Sequence, residues 1–185
     1  MTVAPSGAQH WTLYPGPSRV PDAAAPDVRA RSHSISADIE LVRAGDGGVL
    51  ISHGDRLSGY SVRIADRHLV HHYVYGSGLS SSVSESRIAV GTQVRVEVRV
   101  TRVGTGGLVS LFFDGVEVGT GTIPALARAR TGYTGVDVGC DRGRTVGGYA
   151  GPARFTGRLG RIDIEAADDQ LLDEATTWEI GDSAG

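Results

Sequence analysis

Val94-Arg95-Val96-Glu97-Val98-Arg99-Val100 alternates apolar and charged residues over seven positions. Successive side chains of a strand point to opposite faces, so a pleated strand sorts these valines to a core and these charges to water. Shortly after, Leu108-Val109-Ser110-Leu111-Phe112-Phe113 runs into Asp114-Gly115 and leaves through Val116-Glu117-Val118-Gly119. Asp-Gly between two such runs marks a tight hairpin turn of the primed type, whose twist matches that of the flanking strands. The chain is therefore built from antiparallel strands.

The same pattern extends in both directions. Ile35, Ala37, Ile39 and Leu41 alternate with Ser34, Ser36, Asp38 and Glu40, and Val49-Leu50-Ile51-Ser52-His53 reads as a more continuously apolar strand. Residues 60–64 and 68–75 form a hairpin closed at Asp66-Arg67. With a two-residue loop, Ile64 faces Leu69, Val62 faces His71 and Tyr60 faces Tyr73 on a core face, while Arg63 with Val70 and Ser61 with His72 share the other. Residues 76–86 read as a polar, Ser-rich loop, Arg87-Ile88-Ala89-Val90 as a short strand, and 120–131 as a linker containing Pro124. Residues 135–139 and 157–165 supply the last strands. About ten short strands with regular turn signals and no amphipathic helix imply an all-β, two-sheet antiparallel sandwich. Its expected core includes Ile35, Ile39, Val62, Ile64, Val94, Val96, Val98, Leu111, Phe113, Ile162 and Ile164.

A length of 185 residues fits one domain with a sizeable core. Residues 1–32 hold five of the seven prolines and read as an irregular N-terminal arm packed on the domain, 33–165 as the β-sandwich, and 166–185 as an acidic extension anchored by Trp178 and Ile180. The 27 glycines show no collagen-like period and mark turns. All 18 cations are arginines, which a GC-rich coding bias explains. Scattered arginines and a net charge of −3 argue against a nucleic-acid partner. No signal-like segment and no bilayer-spanning apolar run is present, so a soluble, cytoplasmic chain with no membrane partner is expected. Cys140 stands alone, which excludes an intrachain disulfide framework and a thiolate zinc cluster.

Several stretches carry a resemblance. Trp11-Thr12-Leu13-Tyr14-Pro15-Gly16-Pro17-Ser18-Arg19-Val20-Pro21, Ala24-Ala25-Pro26 and Arg31-Ser32-His33-Ser34-Ile35-Ser36-Ala37-Asp38-Ile39-Glu40 resemble the opening of the C-terminal domain of large bacterial arylsulfatases. Gly48-Val49-Leu50-Ile51, Gly54, Gly59-Tyr60-Ser61, Phe113-Asp114-Gly115, Val136-Asp137-Val138-Gly139 and Phe155-Thr156-Gly157 continue it in order. The resemblance covers residues 11–165 and implies a jelly roll of the concanavalin A/laminin-G kind, here without the sulfatase catalytic domain. It does not bring sulfatase chemistry. The family's nucleophile needs Cys or Ser two residues before a proline, and Pro15 stands two before Pro17, while Cys140 is followed by Asp141-Arg142-Gly143.

Candidate sites come from the histidines. His68, His71 and His72 lack the strand spacing of a shared metal site, and Asp137 with Asp141 leaves a calcium site short of acids, so neither a metal nor another cofactor is expected. On the core face, His71, Tyr60, Tyr73 and His53 could form a polar cluster around a small ligand, the catalytic set if the chain is an enzyme. On the outer face, Arg63 and His72 could donate to a glycan, with Tyr75 or Trp11 as a stacking surface. Close acid pairs fall in the tail, at Asp168-Asp169 and Asp173-Glu174, and Glu97 and Glu117 lie on solvent faces, which speaks against a glycosidase. Gly104-Thr105-Gly106-Gly107 joins two strands and is no phosphate loop.

The expected function is a non-catalytic jelly-roll module that binds a carbohydrate, another small ligand or a partner protein. The alternative is a small acid–base enzyme, a cyclase, isomerase or hydrolase, on the same scaffold, and a structural oligomer is the third reading. A closed, partly apolar pocket near His71 and Tyr60 would mark the enzyme, an open groove the lectin.

Overall fold

The computed structural model describes residues 7–76, 78–129, 135–142, 145–149 and 153–172. Its strands are β1 (Gln9–Leu13), β2 (His33–Glu40), β3 (Gly48–Gly54), β4 (Ser58–Ala65), β5 (His68–Tyr75), β6 (Gly78–Val83), β7 (Gln93–Val103), β8 (Gly106–Phe113), β9 (Val116–Ile123), β10 (Val136–Val138) and β11 (Arg158–Ala166). They form a six-stranded sheet, in the order β1-β11-β2-β7-β8-β9, and a five-stranded sheet, β10-β3-β4-β5-β6. Every pairing between neighbours is antiparallel.

The valine ladder lies inside the larger sheet, between β2 and β8, with Val94, Val96, Val98 and Val100 turned to the core. Asp114 and Gly115 take φ of 48° and 80°, the primed turn that Asp-Gly favours. The β4–β5 hairpin has the expected register, with Ile64 opposite Leu69, Val62 opposite His71 and Tyr60 opposite Tyr73. Its turn residues, Asp66 and Arg67, also take positive φ without a glycine. The expected core residues are buried, except that Phe113 is only partly buried against the cluster.

Four readings of the chain change. Residues 76–86 are not simply a loop, because β6 runs through Gly78–Val83. Its inward residue Ser82 is buried against β9, where a Cβ at Gly121 would fall 2.0 Å from the Ser82 hydroxyl oxygen. Small residues on both strands let the two sheet edges close on each other, so serines here fill a narrow seam where an apolar strand would not fit. Residues 87–90 form no strand and make a single bridge, from Val90 to Leu41. The segment 120–131 begins as strand, since β9 continues to Ile123. The arm is not wholly irregular either, since Gln9–Leu13 forms β1 and pairs with β11. Five residues are too few to show a period convincingly.

The arm and the tail hold each other. Arg31, 2% exposed, donates to the carbonyls of Ala167 and Gly7, and Asp169 accepts from the Ser32 amide and hydroxyl. Trp178 and Ile180, expected as anchors of the tail, lie outside the described residues.

Candidate functional site

The expected site residues do not gather in one place. The β3–β4 hairpin, β5 and the arm enclose a pocket at the rim of the smaller sheet, lined by His53, Tyr60 and Tyr73 among others. Gly54 and Gly59 pair directly across the hairpin, and a Cβ on either would stand 2.1 Å from a carbonyl oxygen of the other strand. That approach sets His53 opposite Tyr60, with ring centroids 5.7 Å apart and the planes at 86°. Gly59, at φ 150°, should tolerate no side chain: Gly59→Ala is expected to cost about 1–3 kcal/mol in urea unfolding.

Within this pocket His53 Nε2 lies 2.9 Å from Asp22 in the arm, a partner that no sequence period announces. Tyr73 accepts a hydrogen bond from the Ala127 amide at 2.8 Å, and burial, the larger effect, pushes its hydroxyl up to about 12. Tyr60 is 3% exposed, its hydroxyl has no hydrogen-bond partner among the described residues, and burial drives its ionisation well above the ordinary tyrosine range. Asp27 and Arg29 form a bidentate pair on the pocket wall.

His71 does not join that pocket. It is 1% exposed, between the sheets, and burial lowers it to about 3, with the charges of His33 and His72 adding to the effect. His33, on the inner face of β2, is likewise lowered to about 4 by burial, against the opposing bond from its Nδ1 to the Arg31 carbonyl. The Nε2 atoms of both rings are buried without partners among the described residues. A general acid or base must reach its substrate. His71 is placed as a neutral core group.

The outer face of the smaller sheet is covered rather than open. Residues 145–149 lie across it: Ser61 is 0% exposed and donates to the Val146 carbonyl, and the Tyr149 ring stacks over the Arg63 guanidinium at 4.6 Å. His72 packs 6.0 Å from the same ring and is 8% exposed; burial and then the Arg63 charge lower its basicity. Asp141 accepts from the Tyr149 hydroxyl at 2.8 Å and so anchors the cover. Tyr75 stands elsewhere, because odd positions of β5 face inward, and it packs on the core. Trp11 lies in the other sheet, opposite Ile164, and also packs inward. Tyr149 is thus the aromatic neighbour of Arg63, carried by a loop after Gly147 and Gly148 in which no strand periodicity marks it.

Arg63 differs from the arginines that pair with acids. Arg19 and Arg142 share Asp137, Arg29 holds Asp27, Arg102 reaches Asp169, and Arg95 and Arg161 reach Asp163. Arg63, half-buried, makes no ion pair and no hydrogen bond among the described residues, and its Nε is fully buried. Burial lowers its affinity for a proton, opposed by Tyr149 and Asp66. Asp137, one of the acids weighed for calcium, is instead clasped by two guanidinium groups: burial raises it, but the Arg19 and Arg142 interactions outweigh this and keep it below the usual carboxylate range. Among the described residues, no group of three or more metal-ligating side chains is assembled, and no helix is long and apolar enough to cross a membrane.

No protein-family model matches the chain, and no curated protein matches it in sequence. Solved structures do match in fold. The CBM40 domain of the Ruminococcus gnavus IT-sialidase, bound to α2,3 sialyllactose, superposes with TM-score 0.56 and 13% identity, over 82% of this chain and 83% of that one. Mouse laminin α1 domains LG4-5 give TM-score 0.59 and 17% identity, over 90% of this chain but 46% of that one. A leech intramolecular trans-sialidase complexed with 2,7-anhydro-Neu5Ac gives 0.60 and 17%, over 95% of this chain and 28% of that enzyme. The chain thus spans less than half of the laminin and trans-sialidase structures and most of the CBM40 domain. At such identities the likeness is one of architecture: the chain is a two-sheet antiparallel jelly roll of the laminin-G kind.

Proposed function

We propose that the chain is a non-catalytic module that binds an acidic carbohydrate at the edge of the 145–149 cover on its smaller sheet, with the half-buried Arg63 as the anion-recognising group. The observation that carries this reading is the state of Arg63. A partly desolvated cation with no direct ion pair or hydrogen bond among the described residues is costly, and a ligand carboxylate would supply the missing partner through charge-assisted, bidentate hydrogen bonds. Tyr149 holds the guanidinium plane in place by cation–π contact and offers an aromatic surface beside it. The likeness in fold to a carbohydrate-binding module that binds sialyllactose supports the same class of ligand. Of the four residues considered for an acid–base enzyme, His71 is buried between the sheets, while His53, Tyr60 and Tyr73 line the rim pocket.

Calorimetric titration with 3′-sialyllactose and with lactose tests this. The acidic sugar should bind and the neutral one should bind far more weakly. Arg63→Ala should weaken binding by roughly 10- to 100-fold, the scale of hydrogen bonds to a charged group, with the circular dichroism spectrum unchanged. Arg63→Lys should keep part of the affinity, as a point charge without the fork. Equal binding of both sugars, an indifferent Arg63→Ala variant, or chemical turnover of the bound sugar would each overturn the reading.

A further inference from the structure

We propose that the rim pocket is a second, uncharged binding site that takes the N-acetyl group of an amino sugar. Its geometry is that of a built cavity. Its cavity volume is about 50 Å³, room for a small substituent and not for a whole sugar ring. Pro26, Val28, Ala127 and Ala129 make much of the wall apolar. The charges that reach it are already engaged: Asp27 with Arg29 and Asp22 with His53. A charged ligand group would find no counter-charge to spare there and would lose its hydration.

The polar capacity left over is that of two phenols. Tyr60 is a lining residue, and its hydroxyl is fully buried with no partner among the described residues. Tyr73 uses its oxygen to accept from the Ala127 amide, which leaves its own proton to donate. A buried hydroxyl without a partner is a cost to the fold, and such groups in a cavity call for an occupant that satisfies them. Two donors beside an apolar wall fit a carbonyl oxygen carried next to a methyl group. An acetamido substituent has that shape and polarity, and the sugar ring bearing it would sit at the mouth. A bare hydroxyl would leave the apolar wall unmatched.

This site does not depend on the Arg63 reading, because Tyr60 and Arg63 point to opposite faces of β4. The test is an NMR titration of the full chain with N-acetyl-D-glucosamine, with D-glucose as the control. N-acetyl-D-glucosamine should shift the Ala127 and Gly59 amides, and glucose should not. Tyr60→Phe should weaken the binding about tenfold while the melting temperature holds or rises, since the substitution removes an unpaired buried hydroxyl and keeps the ring. Ala129→Leu should block the pocket, and Arg63→Ala should leave N-acetyl-D-glucosamine binding intact. The proposal falls if the two sugars behave alike, if neither binds, if Tyr60→Phe keeps full affinity, or if Arg63→Ala abolishes it.

Discussion

Urea unfolding at pH 5 is expected to show several kcal/mol less stability than at pH 7.5, because two histidines are folded into the core as neutral rings. In the unfolded chain each takes up a proton as the pH falls through about 6.5. In the fold, His33 resists protonation down to about 4 and His71 down to about 3, burial being the main cause in both. Between those limits the unfolded chain binds more protons, so stability rises with pH and is lost as pH falls. The full stability contribution is present above about 6.5, and each ring removes about 1.4 kcal/mol per pH unit below it until its folded value is reached. His72, also lowered, acts in the same direction.

The carboxylates occupy a different window. Asp46, Asp137, Asp163 and Asp169 are held below their ordinary value, so their contribution is present above about 3.8 and lost only as the pH falls through their folded values. Weakening between pH 6.5 and 4 therefore belongs to the histidines. His71→Leu should remove a large part of the slope in that range and cost little at pH 7.5, where it deletes a buried nitrogen with no partner among the described residues. A flat stability profile from pH 7.5 to 4.5 would refute the account.

Leu111→Ala is expected to lower the unfolding free energy by about 2–5 kcal/mol, whereas Leu108→Ala on the same strand should change it by less than about 0.5 kcal/mol. Leu111 is 0% exposed, between Val98 and Gly119 in the register of the larger sheet, while Leu108 is 52% exposed. The two have identical chemistry and lie three residues apart, on opposite faces of β8. Truncating the first removes transfer energy and leaves a cavity; truncating the second takes away surface that water already touches. Equal losses from the two variants would mean that the strand is not sided as described.

The strands were legible where the alternation was long and the turn chemistry plain. Residues 94–100, the Asp-Gly turn and the 60–75 hairpin carried their register in their own pattern, since a one-residue slip would exchange core for solvent. The inward placement of His71 and Tyr73 followed from that register. Misreadings arose where packing, not propensity, made the strand. Ser82 lies in β6, which pairs with β5 and packs against Gly121 of β9, and no serine-rich run announces such partners. Tyr75 shares parity with Tyr73 and so faces inward rather than the outer surface, and the sheet that holds Trp11 is set only by the pairing of β1 with β11.

What the sequence by itself determined is the all-β class, the sidedness of the long strands, and the separation of Arg63 and His72 from His71, Tyr60 and Tyr73 on two faces of one hairpin. These follow from a period of two, which is a local property of the chain. Only the tertiary structure decided which of those groups meet a neighbour and which are left without one. His53 meets Asp22 across 31 positions, Tyr149 arrives over Arg63 from a loop 86 residues further on, and Tyr60 keeps a hydroxyl that nothing among the described residues satisfies. Those contacts depend on how two sheets stack and where the arm and loops cross their rims, and long-range packing of that kind leaves no period in the sequence to read.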